Sequence, residues 1–331
     1  MNNMKYTILN IFLFLAIGIS MMACGNDDDN LSNGGEKTDQ VTLEVTLPQT
    51  LDASDLETTS NRLRCILEIW SKEEEPRLIY RAEEVKTGTQ SEEFLLNFTL
   101  QPDEYGYLIW VDYIDGNAET EQKNIDGISY THYIDKYYDT SNLQQITVKD
   151  ANVFVNNEMC DAFFVRGEFR KENNACLLKT DLARPFTKVS VRENDVDALE
   201  KIKGISFTYE FPARFNVNSG MVLAEKSKVT YSRDNFHAGL APEGTLFFMY
   251  IFSDPEIVKM GALNLKFITQ AGEEKEVVIP EALVELERGK HIKVSGNFME
   301  KLPNIDTDFE IIYNVDVEDW NSEDVSIEKV N

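Results

Sequence analysis

Apolar and polar residues alternate strictly in the stretch VTLEVTLP, residues 41–48. The apolar residues at positions 41, 43, 45 and 47 fall on one face of an extended chain, because successive side chains of a β-strand point to opposite sides. The proline at position 48 then ends the strand. This period of two predicts a strand with one buried and one solvated face, as in an antiparallel sheet.

Similar strand patterns recur along the rest of the chain. They predict strands near residues 63–69, 94–100, 105–113, 161–169, 175–180, 205–211, 221–230, 263–267, 277–279, 292–294 and 311–317. The stretch LFFMYIF, residues 246–252, is apolar throughout and predicts a central strand buried on both faces. A short helix is predicted only over residues 195–203, capped by Asn194 and stopped by Gly204. Many short strands and few helices indicate an all-β fold of tandem β-sandwiches.

The length of the chain fits two such domains. It has 331 residues, and a domain usually takes about 100–200 residues. We predict a signal peptide at residues 1–23 and a lipidated, acidic, flexible linker at 24–40. An N-terminal sandwich at 41–180 and a C-terminal sandwich at 181–331 complete the predicted organisation.

The N-terminus has the features of a lipoprotein signal. Lys5 precedes an uncharged, largely apolar stretch at residues 6–23, and Cys24 follows the small residue Ala23. This order predicts a cleaved secretory signal whose cysteine becomes an acylated N-terminus, carrying fatty acids such as palmitate. An uncleaved anchor is the alternative, but no cluster of Lys and Arg follows the apolar run. We therefore predict a lipid anchor on Cys24 in the outer membrane.

Acidic residues follow the predicted lipidation site and dominate the whole chain. Asp27, Asp28 and Asp29 resemble the surface-export signal of Bacteroidota lipoproteins, and a solvated tether is the simpler interpretation of such a run. The formal net charge is −26. Nucleic acid is excluded as a partner, because phosphate binding needs basic clusters. The composition instead favours a self-repelling ectodomain held away from the membrane.

Motifs for catalysis or metal binding are missing from the sequence. The histidines lie far apart at His132, His237 and His291, and no HxH, HExxH, CxxC or GxSxG pattern occurs. His291 shares strand parity with Lys293 and Ser295 and is predicted to face solvent. We therefore predict neither a cofactor nor a metal site and no enzymatic activity.

Three cysteines remain if Cys24 is acylated, so at most one internal disulfide is possible. Cys65 lies on the apolar side of its predicted strand and is expected in the core. Cys160 and Cys176 flank a predicted hairpin turning near residues 170–175, in which they would be out of register. We expect no disulfide framework.

Aromatic side chains offer one candidate for ligand binding. Trp70, Trp110 and Trp320 are the tryptophans, and exposed tryptophans can stack on sugars. Trp70 lies off the apolar face that Leu63 and Leu67 define, which makes it the candidate ligand aromatic. The alternative is a place in the core, where most aromatic residues of sandwiches lie.

Five motifs carry a resemblance to a known family. They are YLIWVDY at 107–113, YYDTSNL at 137–143, DAFF at 161–164, LARPFTKV at 182–189 and VDVEDW at 315–320. Together they resemble a domain family of gut Bacteroidota lipoproteins that is related to fimbrillin-like pilus proteins. YLIWVDY is similar to the aromatic strand of that family, and LARPFTKV looks like a strand that the family shares with fimbrillin-like proteins. VDVEDW resembles the closing strand of fimbrillins.

The resemblance implies two transthyretin-like, or immunoglobulin-like, β-sandwich domains on a lipid-anchored, surface-exposed protein. Fimbrillins of this type are subunits or anchors of adhesive pili and assemble by strand exchange, so it implies pilus subunits or a host or glycan ligand as partners. Shaft subunits need a cut N-terminal strand, and no arginine-centred site lies near Val41. The roles of anchor, tip or solitary surface protein remain open.

These observations lead to one main expectation about function. It is a non-enzymatic surface lipoprotein that acts in adhesion or in pilus assembly and anchoring, by β-strand addition at an open sheet edge. The alternative is a surface glycan-binding lipoprotein with an aromatic platform. A third possibility, an enzyme built on a sandwich, would require a concave acidic cleft with a perturbed carboxylate.

Overall fold

The fold is built almost entirely from β-strands. The structure is a computed structural model and describes residues 22–23, 39–48, 60–86, 93–236, 244–281, 283–299 and 313–320. The strands of the first half are β1 (Met22–Ala23), β2 (Gln40–Thr46), β3 (Asn61–Ser71), β4 (Leu78–Val85), β5 (Glu93–Thr99), β6 (Asp103–Asp115), β7 (Thr120–Ile125), β8 (Ile128–Tyr133), β9 (Tyr138–Asp139), β10 (Ile146–Val148), β11 (Ala162–Lys171) and β12 (Cys176–Asp181). Those of the second half are β13 (Phe186–Glu193), β14 (Ile202–Asn216), β15 (Met221–Asp234), β16 (Thr245–Phe252), β17 (Val258–Lys259), β18 (Leu263–Thr269), β19 (Glu274–Ile279), β20 (Glu285–Leu286), β21 (Lys290–Gly296) and β22 (Tyr313–Asp319).

Helical structure in the described residues is limited to short 3-10 helices. They are η1 (Leu143–Gln145), η2 (Ala151–Phe154), η3 (Glu158–Cys160) and η4 (Val196–Lys201). The helix predicted over residues 195–203 corresponds to η4, but its cap is Asp195, whose carboxylate accepts the backbone N–H of Ala198. Asn194 was therefore the wrong cap, because the helix starts one residue later than the sequence suggests.

Two sheets of the first half pack face to face. One has the strand order β1-β11-β6-β3-β4 and the other β12-β2-β5. Aromatic contacts join them, for example the stacked rings of Tyr80 on β4 and Phe98 on β5, 5.2 Å apart between centroids. The alternation predicted for β2 is confirmed, since Val41, Leu43 and Val45 are fully buried. Their burial supplies the central row of this sandwich core.

The second half forms another pair of sheets. One has the order β19-β18-β14-β10-β9, with β15 on the free side of β14, and the other has the order β16-β13-β21-β22. Phe207 on β14 lies 4.3 Å from Phe247 on β16 between ring centroids, and Phe215 stacks on Phe252. The prediction of all-β sandwich architecture is confirmed.

The two halves of the chain share strands. β10 pairs with β14 in antiparallel register, and β9 extends the same sheet, so residues of the first half complete a sheet of the second. The chain then returns to the first sandwich as β11 and β12. The domain boundary between residues 180 and 181 stays a prediction.

The hairpin predicted around residues 170–175 is wrong. β11 pairs with β6, whereas β12 pairs in parallel with β2 in the opposite sheet. The connecting turn therefore crosses between sheets, and Lys171 donates hydrogen bonds to the carbonyls of Glu172 and Asn174 within it. Cys65 and Cys160 are buried free thiols, as expected for Cys65, while Cys176 is disulfide-bonded. Cys160 ends η3 and its thiol is free, so it does not pair with Cys176 on β12.

The apolar strand β16 is buried along its whole length, as predicted, but it is not central. It is the last strand of its sheet, and its outer edge is covered where Asn156 donates its backbone N–H to the Phe248 carbonyl. An apolar sequence indicates that both faces of a strand are buried, but it does not indicate the position of the strand in the sheet. The prediction of a central strand is wrong for this reason.

Candidate functional site: the edge strand β22 and its anchor

β22 forms one edge of its sheet. It pairs in antiparallel register with β21, and within the described part of the chain no strand pairs with its other side. Val315 and Val317 are 36% and 53% exposed. An edge strand with exposed apolar side chains is a template for pairing with another strand.

The ladder with β21 shows which backbone groups of β22 are free for such pairing. The backbone N–H of Trp320 donates to the Gly289 carbonyl at 3.0 Å, toward β21. In an antiparallel ladder, alternate residues direct their N–H and C=O groups to opposite sides. The backbone groups of Val315 and Val317 therefore point away from β21, toward the open side.

The side chains of β22 add little to its attachment along its middle. Lys290 contacts Asp319 at 2.6 Å and Lys293 contacts Glu318 at 2.8 Å, and these carboxylates are largely exposed. Such solvent-exposed ion pairs usually contribute about 0.2–1 kcal/mol each. The strand is therefore held chiefly by its backbone ladder and by a residue at each end. Tyr313 at the start donates its hydroxyl to the Val278 carbonyl at 2.5 Å and packs against the core, and Trp320 follows the strand.

Trp320 anchors the end of β22 in the protein core. Its side chain is buried and stacks on Tyr250, with ring centroids 5.1 Å apart and planes at 15°. The guanidinium of Arg184 lies 4.5 Å from the indole centroid and also donates to the Trp320 carbonyl at 3.4 Å. Stacking and the cation–π contact together fix the indole.

Arg184 connects this anchor to the first half of the chain. The Nε and Nη2 atoms of Arg184 both lie 2.9 Å from Oδ2 of Asp161, the residue just before β11. Burial raises the pKa of Asp161, and the facing guanidinium opposes this rise. Asp161, Arg184 and Trp320 belong to three of the five resemblance motifs, so the structure brings those motifs together. We name Asp161, Arg184, Tyr250 and Trp320 the anchor cluster.

A second ion pair lies beside the anchor cluster. Lys188 contacts Glu158 at 2.7 Å and lies 4.4 Å from the ring centroid of Phe248. The hydroxyl of Tyr250 donates to the other Glu158 oxygen. Burial and the charge of Glu158 raise the pKa of Tyr250 well above its usual value, which keeps the phenol a neutral donor. The lysine of LARPFTKV is thus part of the packing around Trp320.

A buried network of charges lies in the first sandwich, around Arg64 on β3. Its guanidinium binds Asp112 with two contacts of 3.0 and 2.8 Å and Asp135 at 2.8 Å. Arg81 contacts Glu68, and both Arg64 and Arg81 contact Glu83. The network holds its acids in ion pairs beneath the surface, which is an arrangement typical of structural support.

The pKa shifts within this network follow from burial and pairing. Burial disfavours the charged form of Glu83, but the hydrogen bond from His132 and the charge of Arg64 hold its pKa below the usual value. For Asp112 the burial prevails over its pair with Arg64, and its pKa is raised. In the strand predicted near residues 63–69, Arg64 and Glu68 alternate with the apolar residues. The alternation gave no sign of the network, because the β7–β8 hairpin and the following loop cover that polar face. Arg81 lies 4.6 Å from the ring centroid of Tyr130 on β8.

The predicted site residues fall in different places. Cys24, Asp27, Asp28 and Asp29 lie outside the described residues. Trp70 is half-buried against the core, and its Nε1 donates to Glu68 at 3.0 Å. The role of Trp70 in ligand binding stays a prediction.

The prediction that His291 faces solvent is wrong. The ring is half-buried and lies 2.7 Å from Ser190 Oγ on the neighbouring strand β13. Burial, with the nearby charges of Lys188 and Lys293, lowers its pKa to about 3. Strand parity placed it on the outer face of its sheet, but that face is itself partly covered.

The described residues contain neither a metal-binding cluster nor a membrane-spanning helix. No group of three or more His, Cys, Asp and Glu side chains there is arranged to hold a metal ion. Among the same residues, no helix has the length and apolar character needed to cross a membrane.

Solved structures with a similar fold come from the Bacteroidales. A candidate cell adhesion protein from Bacteroides uniformis superposes with a TM-score of 0.50 at 9% identity, covering 85% of this chain and 98% of that one. A second candidate cell adhesion protein, from Bacteroides ovatus, gives 0.48 at 11% identity, covering 87% and 99%. The tip fimbrial protein Mfa3 from Porphyromonas gingivalis gives 0.43 at 11% identity, covering 85% and 100%. At these identities the first similarity shows a shared fold alone.

Sequence comparison gives the family. No curated protein matches the chain. A family model described as a family of unknown function, DUF6562, matches residues 33–328, which is most of the chain. The chain therefore belongs to the DUF6562 family.

Proposed function

We propose that this protein is a non-enzymatic, lipid-anchored lipoprotein of the outer-membrane surface that acts in adhesion or in pilus assembly and anchoring. Its mechanism is β-strand addition at the open side of β22. The observation that carries the proposal is the outward-facing backbone of Val315 and Val317 beside their exposed side chains. The Bacteroides uniformis protein of similar fold is a candidate cell adhesion protein, which agrees with this role.

Strand addition has a defined chemistry at this edge. A partner strand would receive hydrogen bonds from the N–H groups of Val315 and Val317 and would donate to their carbonyls. The exposed valines would pack against its side chains and set its register. The acidic residues Asp316 and Glu318 favour a partner strand with basic side chains, since like charges on facing strands are destabilising.

Val317→Pro should abolish strand addition without unfolding the protein. Proline removes the outward N–H and leaves the bonds to β21, because residue 317 directs its backbone away from that strand. Cross-linking of intact cells that express each variant, followed by blotting, should show complexes with neighbouring subunits for the wild type and only background for Val317→Pro.

Val317→Ala is the matched control, because it shortens the same exposed side chain and keeps the backbone donor. It should retain the cross-linked complexes, and both variants should melt within a few degrees of the wild type. Undiminished complexes with a folded Val317→Pro protein would contradict strand addition at β22.

The lipid anchor is tested through its cysteine. Labelling cells with radioactive palmitate should mark the wild-type protein and leave Cys24→Ala unlabelled, because acylation needs the thiol at the predicted cleavage site. Proteinase K added to intact cells should digest the wild-type protein if it is displayed on the surface.

Cys160→Ala provides the control for general cysteine effects and should be labelled like the wild type, because the Cys160 thiol is free and buried. Label on Cys24→Ala would overturn the predicted lipidation site. Full protection of the wild-type protein from proteinase K would place it on the periplasmic side and would end the proposal of surface adhesion.

A further inference from the structure

We propose that Arg166 on β11 and Arg288, before β21, form a binding site for the carboxylate or sulfate group of an acidic sugar. The site lies at the turn between β14 and β15 and uses neither Val315 nor Val317 of β22. It is independent of strand addition, so either proposal can fail without the other.

Both guanidiniums converge on the same point of the turn. A Cβ built on Gly220 would lie 3.6 Å from Nε of Arg166 and 3.9 Å from Nη1 of Arg288. Gly220 has a φ of +67°, which a glycine adopts readily. Two positive charges are therefore held close together beside one backbone segment.

Neither arginine is neutralised by an acid of the protein. Arg166 donates to the Asn218 carbonyl, and Arg288 donates to the carbonyls of Ser253 and Gly220. No carboxylate of the described residues forms an ion pair with either guanidinium, although acids outnumber bases by 58 to 32 in the chain. The buried Arg64 and Arg184, in contrast, each contact at least one carboxylate.

The carboxylate of Asp254 is the acid whose charge acts on Arg288. This carboxylate accepts a hydrogen bond from the backbone N–H of Val222 at 2.7 Å, so it binds the backbone and not the guanidinium of Arg288. Burial, together with the charge of Arg166, lowers the pKa of Arg288 to about 10 despite Asp254, so the group stays positive at neutral pH. The excess positive charge of the pair is thus not cancelled within the protein.

Arg288 is held in place before any ligand arrives. Its guanidinium lies 5.2 Å from the ring centroid of Phe164 and 5.3 Å from that of Phe215. An arginine fixed by packing and by two carbonyls loses little further freedom when it binds an anion. Arg166 is exposed and supplies the accessible side of the pair.

The guanidinium N–H groups of Arg166 and Arg288 that are not used within the protein suit an oxyanion. A guanidinium has five N–H groups in a planar fork that matches the two oxygens of a carboxylate or sulfate. The recorded bonds use one donor of Arg166 and two of Arg288, which leaves donors on both residues for a ligand. Exposed Asn218 and Ser219 form the rim, and their polar side chains suit the hydroxyl groups of a sugar. This polar rim favours an acidic saccharide over an acidic peptide.

The test measures binding of defined probes to the full mature chain by calorimetry. We expect binding of galacturonate oligomers, or of a sulfated disaccharide, and none of neutral dextran. Arg166→Gln should weaken the binding about tenfold or more, because it removes a charge-assisted fork. Arg170→Gln, an exposed arginine on the same strand, should bind like the wild type.

Two further readouts separate binding from stability and sugar from peptide. Arg166→Gln without ligand should melt no lower than the wild type, since it relieves repulsion between like charges. Equal binding by Arg166→Gln and wild type, or no binding of any acidic sugar at millimolar concentration, would overturn the site. Tighter binding of an oligo-aspartate peptide than of the acidic sugars would overturn the assignment to a saccharide.

Discussion

Arg64→Ala is expected to lower the free energy of unfolding by about 3–5 kcal/mol, the usual cost of removing one partner of a buried ion pair. The substitution would leave Asp112 without its paired cation and would remove one of the two arginines that contact Glu83, and both acidic side chains are fully buried. It would also take a hydrogen bond from the Tyr133 carbonyl, at 2.8 Å. Urea unfolding followed by tryptophan fluorescence measures the change.

Arg62→Ala serves as the matched control, because Arg62 lies two residues earlier on the same strand and its recorded side-chain bond is to the carbonyl of Asn61. Its loss should change the unfolding free energy by about 0.5 kcal/mol or less, as for most surface substitutions. Similar effects of the two substitutions would contradict the role assigned to the network. Arg64→Lys, which keeps the charge but not the planar fork, should fall between the two variants.

The second large effect is expected from Trp320→Ala. Loss of a buried indole commonly costs about 3–5 kcal/mol, and here it also removes the surface on which Arg184 and Tyr250 pack. Because the middle of β22 has exposed side chains, its release should accompany the loss of Trp320. Hydrogen exchange should then show faster exchange at residues 313–319, together with a lower unfolding midpoint.

Trp70→Ala is the control for removal of an indole from this protein. The Trp70 side chain is half-buried, so its loss should cost less and should leave exchange in β22 unchanged. Protection of residues 313–319 in the Trp320→Ala protein equal to that of the wild type would contradict the anchoring role of Trp320.

The strands could be predicted from the sequence because each has a local pattern of apolar and polar residues. Val41, Leu43 and Val45 mark the buried face of β2 by themselves, and the apolar run at residues 246–252 marks β16 as buried on both faces. Neither pattern contains information on which strand lies alongside. The hairpin of β11 and β12 and the central place of β16 were wrong for this reason, since both depend on pairings distant in the chain.

The candidate site was predictable only in part. The motifs of Asp161, Arg184 and Trp320 were recognised separately, but their contact joins residues 23 and 136 positions apart. The buried network of Arg64 was not predictable, because an alternating strand contains no information on a hairpin, distant in the chain, that covers its polar face. Arg166 and Arg288 gave no signal in the sequence, where each is one basic residue among many.

The parallel pairing of β2 with β12 has a mechanical consequence. β2 begins at the end nearest the proposed lipid tether, and the far end of β12 continues directly into the second half of the chain. A pull between the membrane and the distal half therefore acts on the two strands in opposite directions along their length. In this shear geometry the bonds from Val41 to Thr46 share the load together, whereas a peeled hairpin would open bond by bond. With the proposed tether in place, the first sandwich would resist extension, and its lifetime under tension would be set by the rate of unfolding.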